Sequence, residues 1–257
     1  MLARRSFLCC SGAALAAPHL FAQNLRRQNN EEVPLVDQVP PMLDHILVGC
    51  NDLQKGIDFI EQHTGVRAAF GGVHPGRGTQ NALLSLGAST PAQMGHYLEI
   101  IALDPKQERV EQDYAKVMVE HLKKLTSPAL VGWAAHTNNI EAVATKLKSE
   151  NIPFGGPYPG SRRRPDGNTL QWKTINLQDD ANGLLPFFIE WGQATTHPST
   201  DAPQGCQLLR FELATPTPAE LGTLALKLAL KAPITQAEKP QLRATLRGTQ
   251  SQLSLTS

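Results

Sequence analysis

Aromatic residues are scarce in this 257-residue chain, at 5%, so it offers little of the stacking surface that single-stranded nucleic acids need. An excess of one charge is missing too. The 24 Lys and Arg against 23 Asp and Glu leave a net charge of +1, and without a long basic run general nucleic-acid binding is not expected. No apolar stretch of residues 23–257 approaches the roughly 18 residues that read as a membrane-spanning helix, so no membrane span is expected in the mature chain. Several catalytic signatures are absent: there is no Gly-x-Ser-x-Gly elbow, no Cys-x-x-Cys, no Walker loop and no His-Glu-x-x-His. Serine-hydrolase and P-loop chemistry therefore have no support. Of the four cysteines, Cys9 and Cys10 lie near the start. Cys50 and Cys206 read as separately buried small hydrophobes, with a disulfide as the alternative in an oxidising compartment.

The chain opens on paired arginines, Arg4-Arg5-Ser6-Phe7-Leu8, running into an Ala/Gly-rich apolar stretch from Cys9 to Ala22. That is the form of a twin-arginine export signal. Residues 1–22 are accordingly set aside from the fold, and the protein is expected to be exported to the periplasm or beyond. Residues 23–41 are polar and punctuated by proline (Pro34, Pro40, Pro41) and read as a linker.

Beyond the linker the chain repeats itself, which bears directly on architecture. Leu43-Asp44-His45-Ile46-Leu47-Val48-Gly49-Cys50-Asn51-Asp52-Leu53 is an apolar strand entering a turn and a helix. Leu130-Val131-Gly132-Trp133-Ala134-Ala135-His136-Thr137-Asn138-Asn139-Ile140 does the same about ninety residues later. Each copy is followed by a strand with a carboxylate inside an apolar run, at Glu99 and at Glu190. The pattern predicts an α+β fold of two tandem βαβββ modules forming a curved mixed sheet around a central cavity, with a small C-terminal βαβ-type extension. The modules are expected at residues 42–105 and 130–200, with a helical insertion or linker at 106–129 and a partial module at 204–257. Helices are predicted at Leu53–Thr64, stopped by Gly65, and at 140–151. In the insertion, the apolar stripe is expected at Val110, Tyr114, Val117, His121 and Leu125. The glycine-rich stretches 71–78 and 155–167 read as loops, and no helix follows 71–78, so it is no dinucleotide fingerprint.

Strand alternation groups His45 with Leu47 and Gly49, Tyr97 with Glu99 and Ile101, and Phe188 with Glu190. A carboxylate in an apolar strand is costly to desolvate unless it is paired, hydrogen-bonded or metal-bound. Glu99 and Glu190 are therefore the leading candidates for chemistry. His63, His96, His121 and His197 read as surface or structural.

The tandem layout, the Asp44-His45 strand opening, Asn51-Asp52-Leu53 and the two carboxylate strands resemble the vicinal oxygen chelate superfamily. Gly71-Gly72-Val73-His74-Pro75-Gly76-Arg77-Gly78-Thr79-Gln80-Asn81, Tyr97-Leu98-Glu99, Ser161-Arg162 with Pro165-Asp166-Gly167 and Trp172, and Pro186-Phe187-Phe188-Ile189-Glu190-Trp191 resemble its glyoxalase-like domain family, over residues 42–250. The resemblance implies a divalent metal (Zn, Ni, Mn or Fe) held by His45, Glu99 and Glu190. The fourth ligand position falls on Gly132, which has no side chain. His136 shares that face but lies four residues on, about 13 Å along a strand.

The rest of the expected pocket suits a small anion. His74, Arg77 and the amides of 76–78 could form a nest, Arg162 could clamp a carboxylate, Thr79 and Asn81 share one strand face, and Trp172 offers a wall, with His136 nearby. The first reading is thus a glyoxalase-like isomerase or lyase acting on a small oxygenated anion, with Glu99 or Glu190 as ligand or general base. The second is a metal-free binding or sequestration protein of the same fold, favoured by Gly132. A third is an envelope interaction protein with a decayed site. A homodimer is compatible with all three.

Overall fold

The structure is a computed structural model that describes residues 38–88, 94–107, 110–164 and 167–257. The expected export signal, most of the linker and Pro165-Asp166 lie outside the described residues.

Strand β1 (Leu43–Cys50) leads into helix α1 (Leu53–Thr64), followed by β2 (Ala69–His74), β3 (Thr79–Ser85) and β4 (Tyr97–Leu103). Helix α2 (Asp113–Lys124) intervenes. The second half follows as β5 (Ala129–His136), α3 (Ile140–Ser149), β6 (Phe154–Arg163), β7 (Thr169–Leu177) and β8 (Phe187–Trp191). The two halves start alike because each helix takes the same kind of cap. The Asp52 side chain accepts from the Lys55 amide, and Asn139 accepts from that of Ala142, each satisfying an amide that the first turn leaves free. Helix α1 ends at Gly65, whose φ of 77° is the left-handed conformation that glycine adopts without a Cβ penalty.

All eight strands form one sheet in the order β2-β3-β4-β1-β5-β8-β7-β6. Within each half the first and fourth strands are parallel, and β1 meets β5 antiparallel at the centre. The two halves thus pair within one chain. One face of this sheet carries the main core: Ile46, Val48, Leu98 and Ile100 pack against Ile57 and Ile60 of α1, while Trp133 and Phe188 pack against Ile140 and Leu147 of α3. Gly56 brings α1 in close, since a Cβ there would stand 2.6 Å from both Cys50 Sγ and Ile100 Cγ2. Cys50 and Cys206 are both buried and free.

The tail forms a second sheet on the same side. Strand β9 (Gln207–Thr215), helix α5 (Pro218–Lys227), β10 (Ile234–Gln236), β11 (Gln241–Arg247) and β12 (Gln252–Thr256) take the order β10-β9-β11-β12. This is a βαβ unit followed by a hairpin, and its strand order differs from that of either half, so the expected partial module does not repeat their topology. The indole of Trp133 joins the layers, donating to the Leu184 carbonyl at 2.9 Å and lying 5.3 Å from the Phe211 ring. No helix among the described residues is long and apolar enough to cross a membrane.

The opposite, inner face is shorter of apolar cover. Helix α2 closes one end of it: Leu122, with Met118 and Leu125, packs on Leu47, Ile101, Val131 and Phe187. This corrects the expected apolar stripe of the insertion at Val117 and His121, while Leu125 packs as expected and the side chain of Tyr114 lies outside the described residues. Val117 is 76% exposed and His121 is exposed, while Ala115, Val119 and Leu122 are buried, because the helix docks on the sheet through the next face round. A short helix, α4 (Pro198–Asp201), lies against the other side of this face, where Ser85 Oγ donates to the Ser199 carbonyl.

Candidate functional site

Between these two covers lies a buried polar cluster that begins at the first strand. Alternation alone would send Asp44 and His45 to opposite faces. The β1–β5 register shifts between Leu43 and His45, and this bulge leaves Asp44 as an extra residue that turns toward the inner side. Asp44 is fully buried, and its carboxylate faces four N–H groups: His45 Nδ1 at 2.7 Å, Trp191 Nε1 at 2.9 Å, His136 Nδ1 at 3.2 Å and His197 Nε2 at 3.3 Å. Burial opposes its charge, but the three imidazoles outweigh that and hold the carboxyl well below its ordinary range.

His45 carries the line inward. Its Nε2 lies 3.3 Å from Glu99 Oε2, and its ring stacks on Tyr97 at 4.4 Å between centroids. Burial disfavours its charge, yet the two flanking carboxylates raise its pKa to about 9, so near neutrality it is an imidazolium. Glu99 responds in the opposite sense. Burial would raise it, but the hydrogen bond and charge of His45, with His74 and Asn81, bring it down to about 2.

The other oxygen of Glu99 is held from the first half's hairpin. Asn81 Nδ2 donates to Glu99 Oε1 at 2.6 Å and lies 3.2 Å from His74 Nε2, whose Nδ1 is 2.8 Å from Thr79 Oγ1. Burial pushes His74 down to about 4, so it stays neutral. Accepting from Asn81 leaves its proton on Nδ1, facing Thr79.

Arg162 completes the cluster from the far edge of the sheet. Strands β2 and β6 are the two ends of the strand order and are not hydrogen-bonded neighbours, yet the sheet curls enough for Arg162 of β6 to reach over β2. Two glycines admit it. A Cβ on Gly71 would stand 2.9 Å from Arg162 Nη1 and 2.4 Å from Asn81 Oδ1, and one on Gly72 would stand 3.1 Å from Nη1. Arg162 is 4% exposed and feels the charge of Glu99, while burial lowers its pKa.

The remaining expected site residues fall at the margin or elsewhere. His136 is half-buried and joins the cluster through Asp44, with its Nε2 3.0 Å from Asn138 Oδ1. Arg77 stays outside it, lying 5.8 Å from the centre of the Trp172 ring and donating to Gln112 Oε1. Trp172 in turn packs edge-on to Trp191.

Glu190 is on the opposite face. Its Oε2 accepts from the Ile140 amide at 2.5 Å, at the start of α3 on the core side. The parity that groups it with Phe188 is right, but Phe188 faces the core. A carboxylate at a helix N-terminus meets free amides and the positive end of the helix dipole, and that satisfies Glu190 without a metal or a substrate. The set His45, Glu99 and Glu190 is therefore not assembled, and no cluster of three His, Cys, Asp or Glu side chains suited to a metal ion occurs among the described residues. The residues present do not fit the expected three-donor metal centre.

Residues to which sequence reasoning gave no functional role also enter the cluster. Asp44 is its hub, and His197, expected at the surface, is one of its partners. The signal that could have found Asp44 is its place directly before His45, but the bulge that turns it inward leaves no mark in the apolar pattern.

Comparison with known proteins agrees with this architecture. The family model described as a glyoxalase-like domain matches residues 43–228. No curated protein matches. Among solved structures, a hypothetical protein from Staphylococcus aureus is 17% identical, with a TM-score of 0.54, over 83% of this chain and 84% of that one. A methylmalonyl-CoA epimerase from Streptomyces coelicolor is 19% identical, with a TM-score of 0.43, over 59% of this chain and 98% of its own. Its counterpart from Mycobacterium tuberculosis is 21% identical, with a TM-score of 0.39, over 58% and 85%. At these identities the likeness concerns the fold alone. The tandem halves, the single curled sheet and the match over most of the chain together place this protein in the glyoxalase-like domain family of the vicinal oxygen chelate superfamily.

Proposed function

We propose that the inner face of the eight-stranded sheet binds a small, oxygenated, anionic molecule, and that it does so without the three-donor metal centre the resemblance implies. The observation that carries this reading is the convergence of Arg162, Asn81, His74, Glu99 and His45 on one buried patch, with charges supplied from both halves of the chain. Burying ionised groups is expensive, and a patch this polar contributes less to stability than an apolar one of the same volume would. Its retention fits a binding role. Glu99 and His74 keep a small opening, each side chain 10% exposed.

A second reading, proton-transfer chemistry of the isomerase or lyase kind, is favoured by the unbroken line Asp44–His45–Glu99 and by the neutral His74 beside it. Two features weigh against it. Both Glu99 oxygens are already engaged, and a carboxyl at about 2 is a weak general base near neutrality. Sequestration without turnover is therefore preferred.

The test is titration of the full chain with small mono- and dicarboxylates, followed by backbone amide shifts in NMR. Saturable shifts centred on His74, Asn81, Glu99 and Arg162 support the reading. Their absence, or shifts centred elsewhere, overturns it. Exchange of a bound ligand's α-proton into deuterated solvent would shift the preference to the enzymatic reading.

We also propose that the protein is exported by the twin-arginine route, on the strength of Arg4-Arg5-Ser6-Phe7-Leu8. Fractionation of cells expressing the Arg4→Lys/Arg5→Lys variant tests this: retention in the cytoplasm supports it, and unchanged export overturns it.

A further inference from the structure

The groups proposed to meet a ligand are almost closed off. His45, Asn81 and Arg162 are buried, and the seam between β2 and β6 is occupied by Arg162 itself, packed over Gly71 and Gly72. Contact with these groups therefore requires one of the two covers of the inner face to move. Glu99 lies between those covers. To one side Leu47, its partner on β1, and Ile101 lie under α2. To the other, Tyr97 and Leu83, its partner on β3, pack against Ala202 in the segment that carries α4.

The two covers are held in different ways. Helix α2 buries Ala115, Val119 and Leu122, and lifting it would return that apolar surface to water. The segment with α4 has firm ends. Thr195 Oγ1 accepts from the Gln171 amide at 3.1 Å and donates to its carbonyl at 3.2 Å, and Cys206 is buried at the entry to β9. Between these ends, residues 196–204 bury only Pro198, Ser199 and Ala202. Their ties to the rest of the fold are mostly polar. His197 Nε2 faces Asp44 Oδ2 at 3.3 Å, Ser85 Oγ donates to the Ser199 carbonyl at 2.8 Å, the Ser85 amide donates to the Pro203 carbonyl at 2.9 Å, and Arg164 Nη2 meets Asp201 Oδ2 at 2.7 Å. Water replaces such ties when a segment lifts, so a cover held by them opens at a lower free energy than one packed on apolar side chains.

We infer that residues 196–204 are a strap, hinged after Thr195 and at Gly205, that lifts to admit ligand to the inner face while α2 stays docked. Gly205 has a φ of 123°, in the region that favours glycine, and suits a hinge. Lifting takes Ala202 off Leu83 and Tyr97 and His197 off Asp44, which uncovers one flank of Glu99 and the tyrosine ring on which His45 stacks. It also releases Arg164, the residue that follows β6, and so the end of the strand that carries Arg162. What the strap admits rests on the proposed anion-binding function; the lifting itself does not.

The experiment is amide hydrogen exchange on the full chain, read by NMR, with and without a reversible crosslink. Ser85 is the reporter on the fixed strand β3, because its amide is tied to Pro203 of the strap. Ser85 and Ala202 should exchange together, about tenfold or more faster than Leu122 in α2. Asp201→Asn should quicken both by about two- to fivefold, the weight of a partly exposed ion pair, and leave Leu122 unchanged. A Cβ on Gly95 would stand 3.1 Å from Ser199 Cβ, close to the roughly 3.5–4.5 Å that a disulfide spans. Gly95→Cys/Ser199→Cys therefore fastens the strap to the chain entering β4, with thermal unfolding of the reduced form confirming that it folds. Oxidation should slow Ser85 exchange and the binding of acetate and succinate by about tenfold or more, and reduction should restore both. Ser85 exchange no faster than that of Leu122, or unchanged in Asp201→Asn, overturns the inference. Carboxylate binding at the same rate in the oxidised and reduced forms overturns it as well. Exchange as expected with no carboxylate bound in either form supports the lifting strap and overturns the proposed function.

Discussion

Replacing Glu190 separates the two faces of the sheet more sharply than any other single change. Its carboxylate accepts from the Ile140 amide at 2.5 Å and sits at the positive end of α3. Alanine there removes a charge-assisted hydrogen bond and the dipole contact together, a loss of about 1–2 kcal/mol. Asn139 still caps the Ala142 amide, so the helix frays at its first turn and does not melt. For a folded unit of this size the loss lowers the unfolding midpoint by about 2–8 °C. Glutamine keeps an acceptor but not the charge, and should cost about 0.3–1 kcal/mol. Glu99→Gln behaves differently, because it breaks the buried pair with His45 and costs about 3 kcal/mol or more. Urea unfolding of the three variants, with carboxylate titration on each, checks the scheme. The Glu190 variants should lose stability and keep ligand affinity, whereas Glu99→Gln should change both. A Glu190→Gln protein of unchanged stability that no longer binds a small anion, or that loses a tightly held metal, would refute the placement of Glu190 on the core face.

Stability should depend on pH through two histidines of opposite sign. His45, raised to about 9, contributes stability that is complete below its unfolded value of 6.5 and is lost as pH rises through 9. His74, lowered to about 4, contributes stability that is present above 6.5 and is lost as pH falls through 4. The two together place the optimum near 6.5, and denaturant unfolding from pH 4 to 10 should show the alkaline decline flattened in His45→Gln. Asp44→Asn replaces the shared acceptor of four N–H groups and should cost about 3–5 kcal/mol in the same assay. Two glycine-to-alanine changes should differ in sign. At Gly71 the methyl would stand 2.4 Å from Asn81 Oδ1, for a loss of about 1–3 kcal/mol, while at Gly132 it meets open space and should leave stability unchanged or raise it by up to about 1 kcal/mol.

Much of the architecture was legible because its signals are local. Asp52 and Asn139 before their helices, Gly65 after the first, and matching apolar runs on β1 and β5 each report on a few adjacent residues, and these elements lie where they were expected. Strands β2 and β6 were missed for a physical reason. Both are rich in glycine, and in each the glycine marks a close approach rather than a loop: Gly71 beneath Arg162 and Asn81, and Gly160 against the Trp172 indole, where a Cβ would come within 2.3 Å of Nε1. The inner cluster was half legible. Alternation correctly grouped His45 with Leu47 and Tyr97 with Glu99, but alternation gives parity and not direction, so Glu190 could be grouped with Phe188 without revealing that Phe188 faces the core. The inward turn of Asp44 depends on a bulge against β5, a pairing between residues about ninety positions apart.

The two halves share a framework without sharing a chemistry. In the first half the fourth strand directs Glu99 inward, onto His45, Asn81 and His74. In the second, the corresponding carboxylate faces outward to hold α3, and the position matching His45 is Gly132. A symmetric four-ligand site has no second pair of donors here, and what the second half contributes instead is Arg162 and open space. The second half's charge sits at the edge of the sheet, where the Arg162 guanidinium acts on Glu99 through space, across the seam between β2 and β6. A site built this way depends on the curl of the sheet, because flattening it would withdraw Arg162 from the cluster while leaving every backbone ladder intact. The proposed anion binding would therefore act on the seam through one side chain: an anion that engages Arg162 should stabilise the curled form over any opened one by the same contacts that hold the anion.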